Sequence, residues 1–317
     1  MGFEALLGND RLKQNLTQSL EKGHISHFYL ISGPEGSGKH TLARILAAAI
    51  LCTGGGKPCL QCTPCRKVMD GSHPDFITVD DPEKKTVPVD LIRQARADMY
   101  VQPNESDHKI YLFPRAQDMG LPGQNALLKV LEEPPAYGVF LLLTDNPDKL
   151  LPTVRSRCTE LDMQALPDGT LRRELRRQFP GAGEEDLTAA IARSGGFLGQ
   201  AKALLETGDT LPPQTEDFVR AFAEGDPLAL VQTLVPMEKW KRDALAQILE
   251  SWLEIVENAL ACRGGMQAVS PLARQLAAAR SGPELHGAAL CLRKAVDYTL
   301  SNVSPGAVCG YLEWSLR

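Results

Sequence analysis

The sequence predicts an α/β fold, in which a parallel five-stranded sheet carries helices on both faces and an all-helical C-terminal region follows. Three observations support this prediction. Up to about residue 165, short apolar runs alternate with segments of helical period, as in parallel sheets whose strands are joined by helices. A glycine-rich loop ending in Lys39 joins the first apolar run to a helix. From Pro167 onward the strand pattern stops and helical period continues.

The composition is that of a soluble globular protein and limits its partners. The chain has 317 residues, of which 43% are hydrophobic and 23% are charged, enough for about two or three domains with their own cores. The formal net charge is −5 and the pI is about 5.8, so we expect no tight, autonomous binding of DNA. Membership of a DNA-binding assembly is compatible with this charge.

The sequence shows neither a membrane segment nor a secretory signal. No apolar run approaches the length that spans a bilayer, and Arg44 interrupts the longest one. The start, Met-Gly-Phe-Glu, lacks the basic and apolar regions of a signal peptide. We therefore expect a cytoplasmic protein without membrane contact, whose eight cysteines stay reduced.

The first elements lead to a phosphate-binding loop. Residues 3–22 have the period of an amphipathic helix, residues 28–31 read as a buried strand, and residues 41–51 as a helix. Glycines between this strand and helix let backbone N–H groups converge on an anion, and the helix N-terminus and a lysine add positive charge. The alternative, a glycine-rich turn without ligand, is disfavoured by these flanking elements. The phosphate-binding candidates are Gly33, Gly36, Ser37, Gly38 and Lys39.

The loop departs from the complete pattern after Lys39. A Ser or Thr at the next position would hold Mg²⁺ through its hydroxyl, and this chain has His40 there. Thr41 lies about 100° further round the helix, so it cannot simply take over that role. We assign both residues to the nucleotide site, predict binding of phosphate or of a nucleotide such as ATP, and do not expect Mg²⁺-assisted hydrolysis.

Four cysteines close together predict a metal site. Cys52, Cys59, Cys62 and Cys65 lie within fourteen residues, and C-x₂-C turns present pairs of thiolates to tetrahedral Zn²⁺ without strain. An iron–sulfur run would continue with Cys and Pro where this chain has Met69 and Asp70. A disulfide pair requires an oxidising compartment. We therefore predict structural zinc, without an open coordination position and without a catalytic role.

The remaining strands raise the question of a carboxylate for Mg²⁺. Phosphate-loop enzymes that hydrolyse ATP hold Mg²⁺ through an acid at the end of a neighbouring strand. Asp80 and Asp81 end one candidate strand, whereas Pro114 and Arg115 follow another, which has no acid. The residues alone leave open which strand lies beside the loop. The further predicted strands are 75–81, 108–113, 139–143 and 158–161, and the helices between them are 89–100 and 124–133.

The C-terminal part is predicted to be helical. Residues 168–206 form short helices, residues 208–213 a linker, and residues 214–317 helices with breaks near Gly225, Gly264-Gly265 and Gly282-Pro283. Apolar ring size favours packing in a core or an interface over stacking on bases for Trp240, Trp252 and Trp314.

Two further motifs occur after the phosphate loop and the cysteine insert. Residues 127–135 read LLKVLEEPP and residues 150–158 read LLPTVRSRC. With these motifs the chain resembles, over its whole length, the AAA+ clamp-loader subunits of bacterial DNA polymerase III, and most closely those of delta-prime type. The resemblance implies an AAA+ module over 1–165 with the cysteine insert at 52–65, a helical lid over 166–207, and a helical collar over 208–317 that joins subunits into a pentameric ring.

The resemblance also implies that the chain's own ATP site is degenerate. In the family the acidic strand corresponds to residues 108–113, and the strand at 76–79 lies at the sheet edge, which makes Asp80 and Asp81 surface acids. Gln200 stands where ATP-hydrolysing relatives have an arginine that contacts the γ-phosphate. With three such groups missing, transition-state charge goes largely uncompensated. The loop then holds a nucleotide or phosphate, or is empty.

Arg157 is the residue that the resemblance implies to be active. It belongs to the Ser-Arg-Cys triplet, which in the family carries an arginine finger that enters the next subunit's ATP site. A finger of this kind raises turnover by about 10³–10⁵-fold. The alternative is a solvated surface arginine. Arg155 has a weaker claim and is assigned to packing, and Asn146, with Thr144, matches the family's polar sensor after the fourth strand.

The function implied is that of a delta-prime-like subunit supporting ATP-dependent loading of the sliding clamp onto primed DNA during replication. Its partners would be gamma/tau and delta subunits, the clamp, and primed DNA contacted through backbone phosphates. We expect the chain alone not to be catalytic, within the DNA polymerase III holoenzyme, a DNA-directed DNA polymerase. One alternative is an ATP-hydrolysing gamma/tau-type motor subunit, disfavoured by the acid-free strand. Another is a different AAA+ ATPase such as a helicase loader, disfavoured by the cysteine insert and the triplet.

Overall fold

The computed structural model describes residues 2–206, 212–266, 270–301 and 303–316. Most of the predicted linker, 208–213, lies outside the described residues. The helices, numbered in chain order, are α1 (Asp10–Glu21), α2 (Lys39–Ile50), α3 (Thr63–Met69), α4 (Val89–Asp98), α5 (Leu121–Glu132), α6 (Pro152–Arg155), α7 (Asp168–Gln178), α8 (Glu184–Arg193), α9 (Leu198–Glu206), α10 (Pro213–Glu224), α11 (Pro227–Leu234), α12 (Arg242–Arg263), α13 (Pro271–Ala279), α14 (Gly282–Leu300) and α15 (Pro305–Ser315). Short 3-10 helices lie at Phe3–Ala5, Ala116–Asp118, Pro147–Lys149 and Val235–Lys239.

The chain forms two compact units. The first consists of Met1–Ala182 and Ser194–Ala203, and the second of Gly183–Arg193 and Leu204–Arg317. The predicted lid is thus divided between them, with α7 and the start of α9 in the first unit and α8 in the second. Within the described residues, no helix is both long enough and apolar enough to cross a membrane.

The first unit is built on the predicted parallel five-stranded sheet. All its strand pairs are parallel, and the strand order is β2-β3-β4-β1-β5, so β2 lies at an edge, as expected. In a parallel sheet all carboxyl ends meet at one side, so the segments that follow β1, β3 and β4 converge there. The segment that precedes β5 lies at the opposite side. The strands are β1 (Phe28–Ser32), β2 (Phe76–Thr78), β3 (Lys109–Phe113), β4 (Gly138–Thr144) and β5 (Thr159–Asp162).

Burial on both faces explains why the central strands are apolar throughout. Tyr29 and Ile31 of β1 pack on one side with α2, whereas Phe28 and Leu30 pack on the other with α4 and α5. The rings of Phe28 and Phe140, paired in register across β1 and β4, stack at 4.7 Å. Helices therefore cover both faces, as the alternating pattern predicts.

The N-terminal prediction is wrong in one respect. The single helix expected over residues 3–22 is a 3-10 turn at Phe3–Ala5 followed, after a break, by α1. Gly8 and Asn9 at the break both have left-handed backbone, with φ of 58° and 56°, a conformation that ends helical continuity. The apolar period was correct, because Leu6 and Leu16 are both buried.

A buried carboxylate fixes the loop between α4 and β3. Asp75 is fully buried, and its side chain accepts hydrogen bonds from the N–H groups of Asn104 (2.6 Å), Glu105 (2.8 Å) and Ser106 (3.0 Å) and from the Asn104 amide (3.0 Å). Burial raises the pKa of Asp75, but these hydrogen bonds outweigh it and leave the pKa below its ordinary value. The carboxylate form therefore stabilises the fold.

Replacing Asp75 with alanine is expected to lower the free energy of unfolding by about 2–4 kcal/mol, because buried donors lose their acceptor. Since the folded-state pKa is lowered, the contribution is present above the ordinary carboxyl pKa of about 4 and is lost as the pH falls through the lowered value. Urea unfolding at pH 7 and at acidic pH measures this difference. The control Asp107→Ala, at an exposed position nearby, should cost less than about 0.5 kcal/mol. A difference that does not shrink in acid would contradict the assignment.

In the described residues of the second unit the regular elements are all helices, as predicted, and the expected breaks are confirmed. Helices end or begin at Gly225, at Gly264 and at Gly282. Trp252 lies in the core, where its ring stacks on Phe218 at 4.2 Å and its Nε1 donates to Thr215. Core packing is thus confirmed for Trp252. Trp314, by contrast, is 77% exposed, and its expected role in an interface stays a prediction.

Candidate functional site

The phosphate loop connects β1 to α2, as predicted. Its Gly36 and Gly38 have φ of 73° and 95°, in the left-handed region that favours glycine. The Gly36 backbone also lies against the start of α9, where a Cβ at this position would approach the nitrogen of Gln200 to 2.5 Å. The carbonyl of Gly36 accepts a hydrogen bond from Gly199 N–H at 2.9 Å. Glycine at positions 36 and 199 therefore permits the loop and α9 to make direct backbone contact.

A cavity of about 880 Å³ lies over this loop, large enough for a nucleotide. The loop and the first turn of α2 line it, together with the carboxyl ends of β3 and β4 and with α7 and α9. The sequence-predicted residues among its walls are Gly36, Ser37, Gly38, Lys39, His40 and Thr41. Other residues that line it are Glu35, Pro114, Arg115, Gln117, Asp145, Glu174, Arg177, Gln178, Leu198, Gly199 and Lys202.

Lys39 is held by the loop itself. Its Nζ donates to the carbonyls of Gly33 at 2.5 Å and Pro34 at 2.8 Å. Burial lowers the pKa of Lys39, while the carboxylates of Asp145 and Glu35 act to raise it. The ammonium would exchange these carbonyls for phosphate oxygens when an anion enters.

His40 offers no substitute for the missing hydroxyl. Burial and the positive charges of Lys39 and Arg44 lower the pKa of its imidazole, so the ring is neutral at pH 7. An imidazole nitrogen is a poor ligand for Mg²⁺, which prefers oxygen. Thr41, one position further, does line the cavity.

An arginine stands at the end of β3, where an acid would hold Mg²⁺. The guanidinium of Arg115 contacts Asp80 through Nη2 at 2.6 Å and through Nε at 3.2 Å. It also donates to the carbonyls of Asp81 and Lys84, at 2.9 Å and 3.1 Å. These hydrogen bonds to Asp80 raise the pKa of Arg115. The residues that directly follow β3 therefore supply a paired guanidinium and no acid.

Asp80 does not fit its assignment as a surface acid. Its side chain is only 14% exposed, because Arg115 of the neighbouring strand covers it. A carboxylate bound in this way is neutralised, and it is not available to hold a metal ion. No sequence pattern indicates the pair, since the two residues are 35 positions apart.

On α9 the charged side chain that lines the cavity belongs to Lys202, which sequence reasoning missed. Gln200, the position singled out, is not among the described residues that line the cavity. Lys202 follows Gly199 by three positions and so shares the helix face that touches the loop. This spacing becomes a signal only when the contact of α9 with the loop is known. Arg177 of α7 also lines the cavity, paired with Glu174 at 2.5 Å.

Asn146 has a local role next to the cavity. Its side chain accepts a hydrogen bond from Asp148 N–H at 3.0 Å and so caps the 3-10 helix Pro147–Lys149, while its own N–H donates to Thr144. The residue of this segment that lines the cavity is Asp145. A sensor role for Asn146 stays a prediction.

Arg157 lies on the opposite side of the sheet from this cavity. It follows α6 and precedes β5, at the amino end of the strands, whereas the cavity lies beyond their carboxyl ends. The four residues of β5 span about 13 Å. The guanidinium of Arg157 donates to Thr153 O at 2.9 Å and lies 3.4 Å from Glu132. The Arg157 side chain is 39% exposed. Arg155, in contrast, is paired with Asp148 and Glu160.

The four cysteines of the insert form a candidate metal site. The Sγ atoms of Cys52, Cys59, Cys62 and Cys65 all lie within 4.8 Å of one another, close to the spacing that tetrahedral zinc with bonds of about 2.3 Å requires. Backbone N–H groups of Cys59 and Cys62 point at the sulfurs of Cys52 and Cys59. Burial raises the pKa of Cys62, but hydrogen bonds outweigh it and lower the pKa to about 6. The donor set fits a structural Zn²⁺ without an open position.

Comparison with known proteins gives the chain a context. A family model described as "DNA polymerase III, delta subunit" matches residues 8–167, just over half of the chain. The tau subunit of DNA polymerase III from Bacillus subtilis is 34% identical over 166 residues, which are 52% of this chain and 29% of that protein. The delta' subunit from the same organism is 34% identical over 169 residues, 53% of this chain and 51% of that protein.

The solved structures that are similar to this chain have low sequence identity to it. A gamma subunit-related protein of DNA polymerase III from Thermotoga maritima has 16% identity and a TM-score of 0.46, and the match covers 96% of this chain and 99% of that chain. The chain spans less than a third of the length of the tau relative and about half of that of the delta' relative.

Proposed function

The chain belongs to the DNA polymerase III, delta subunit family, and we propose that it is a delta-prime-like subunit of the clamp loader of this polymerase. In this role it supports ATP-dependent loading of the sliding clamp onto primed DNA. It acts on a neighbouring subunit and does not hydrolyse ATP itself. Its partners are gamma/tau and delta subunits in a pentameric ring, together with the clamp and primed DNA. The first part of the chain is an AAA+ module, residues 166–207 its lid and residues 208–317 the collar.

The observation that carries the proposal is the opposite placement of two features on one sheet. The cavity over the phosphate loop lies at the carboxyl ends of the strands, and Arg157 lies beyond their amino ends. An arginine separated from its own cavity by the length of a strand, about 13 Å, cannot reach a phosphate bound there. It is half-exposed and held by a carbonyl and a carboxylate, so it is oriented and accessible to a neighbouring molecule.

Three features of the chain's own cavity support a degenerate site. The position after Lys39 is a neutral histidine, the end of β3 is an arginine, and that arginine neutralises Asp80. None of these groups can hold Mg²⁺ next to a γ-phosphate. Without that metal, developing charge on the transferring phosphoryl group is not stabilised. Binding of a nucleotide on the loop is compatible with this cavity, whereas the lack of these groups disfavours its hydrolysis.

A gamma/tau-type motor subunit is the second candidate, because the tau and delta' relatives are equally similar, at 34% identity. The two candidates differ in the carboxylate that holds Mg²⁺, which a motor subunit needs and Arg115 replaces here. The experiment that separates them is ATP hydrolysis by a reconstituted ring of gamma/tau, delta and this chain, in which this chain is wild type, Arg157→Ala or Lys39→Ala. A positioning subunit contributes through Arg157, and a motor subunit through its own Lys39.

A further inference from the structure

Lys202 is the lysine of α9 that lines the cavity over the phosphate loop. Its position is determined by the contact between α9 and the loop. Gly199 donates to the Gly36 carbonyl at 2.9 Å, and a Cβ on Gly199 would lie only 2.5 Å from Gly36 Cα. Because Lys202 follows Gly199 by three residues, its side chain leaves the helix on the same face. Lys202 thus lines the space above the loop.

The other cationic side chains that line the cavity already have hydrogen-bond or ion-pair partners. Arg115 donates to Asp80 and to backbone carbonyls, Arg177 is paired with Glu174, and Lys39 donates to loop carbonyls. For Lys202 the described part of the chain offers neither an ion pair within 4 Å nor a hydrogen bond, and its charge interacts at longer range with Glu174. Glu174 already accepts from Arg177 and Gln178. Lys202 is therefore the cation that an incoming anion can engage without displacing a partner.

Lys202 gives the side chains that line the cavity a net positive charge. Four cationic side chains line the cavity (Lys39, Arg115, Arg177 and Lys202), against three carboxylates (Glu35, Asp145 and Glu174), with His40 neutral. Removing Lys202 would leave no net positive charge from these side chains. A polyanionic ligand bound without metal depends on such a surplus.

We propose that Lys202 is a phosphate-binding residue, which binds the phosphates of a nucleoside di- or triphosphate held on the phosphate loop without a divalent cation. This inference rests on the proposed nucleotide-binding role of the loop and goes beyond it by naming the cation and by removing the metal. A charge-assisted hydrogen bond from the ammonium to a phosphate oxygen supplies part of the charge compensation that Mg²⁺ provides elsewhere.

Calorimetric titration of the full chain with ATP and with ADP, in EDTA, tests the proposal. Lys202→Met, which keeps the aliphatic length but not the charge, should weaken binding by about tenfold or more, and Lys202→Arg should restore most of it. Gln200→Met, the same substitution two residues earlier, should change the dissociation constant less than about twofold. Lys39→Ala tests the loop itself and should abolish binding.

Each outcome decides the proposal. Unchanged binding by Lys202→Met, or equal losses for Lys202→Met and Gln200→Met, would overturn the role of Lys202 while leaving the loop as a nucleotide site if Lys39→Ala still abolishes binding. Wild-type binding that appears only with Mg²⁺ would overturn its metal independence. Absence of binding by the wild type under both conditions would overturn the nucleotide site and this inference together.

Discussion

Replacing Arg157 with alanine is expected to lower ATP hydrolysis at the neighbouring site of a reconstituted ring by about 10³-fold, while the ring still assembles. The physical reason is that a guanidinium fork neutralises charge that develops on the transferring phosphoryl group. Among the described residues, the polar partners of this fork are Thr153 O and Glu132, both replaceable by phosphate oxygens. DNA-stimulated hydrolysis at saturating ATP, beside gel filtration of the assembly, measures both quantities.

Controls on the same segment separate a finger from a structural residue. Arg155→Ala removes an arginine two positions away that is tied to Asp148 and Glu160, and it should leave hydrolysis within a few-fold of wild type. Arg157→Lys keeps the charge but loses the bidentate fork, so most of the activity should still be lost. Loss of assembly in Arg157→Ala would instead make this arginine a structural residue of the interface.

Removing the metal from the cysteine insert is expected to lower the free energy of unfolding by more than about 3 kcal/mol, because metal binding and folding of such a segment are coupled. The segment between α2 and α3 contains neither helix nor strand, and only Cys52 and Cys65 of the four ligands are buried. Elemental analysis of purified protein should give about one zinc per chain, and chelation or Cys59→Ser should lower the unfolding temperature.

Cys262→Ser is the matched control for the metal prediction, because Cys262 lies on α12 of the second unit and is not one of the four clustered cysteines. It should keep the zinc and change stability by less than about 1 kcal/mol. A zinc content near zero in protein purified without chelators would contradict the metal assignment. Equal loss of stability in both variants would argue that the thiols act through packing alone.

The central strands β1, β3 and β4 were predictable because they are buried on both faces. The predicted runs 28–31 and 139–143 are apolar at every position, so they show neither a period of two nor one of 3.6 and indicate buried strands. The limits of β1 and β4 differ from the predicted ones by at most one residue at either end. The prediction made the edge strand β2 too long. The predicted strand, 75–81, continues beyond Phe76–Thr78, the residues that pair with β3. Helix limits failed where two successive left-handed residues, Gly8 and Asn9, break a continuous apolar period.

The site was predictable where its residues are adjacent in sequence and not where they meet across the fold. The phosphate loop and the cysteine cluster are local motifs, so the sequence identified their members. The pair of Arg115 with Asp80 joins the segments that follow two different strands. Lys202 could not be predicted as a cavity residue without knowing what α9 contacts. The placement of Arg157 opposite the cavity likewise required the strand order.

The most direct test of the account is ATP turnover by the purified chain alone, with Mg²⁺ present, for wild type and Lys39→Ala. The degenerate site predicts no turnover above that of Lys39→Ala, because neither His40 nor Arg115 can hold the metal next to the γ-phosphate. Turnover in the wild type that Lys39→Ala removes would contradict the account. The chain would then be a motor subunit, and its catalytic metal would be held by a carboxylate such as Asp145, the acid that follows β4 at the cavity.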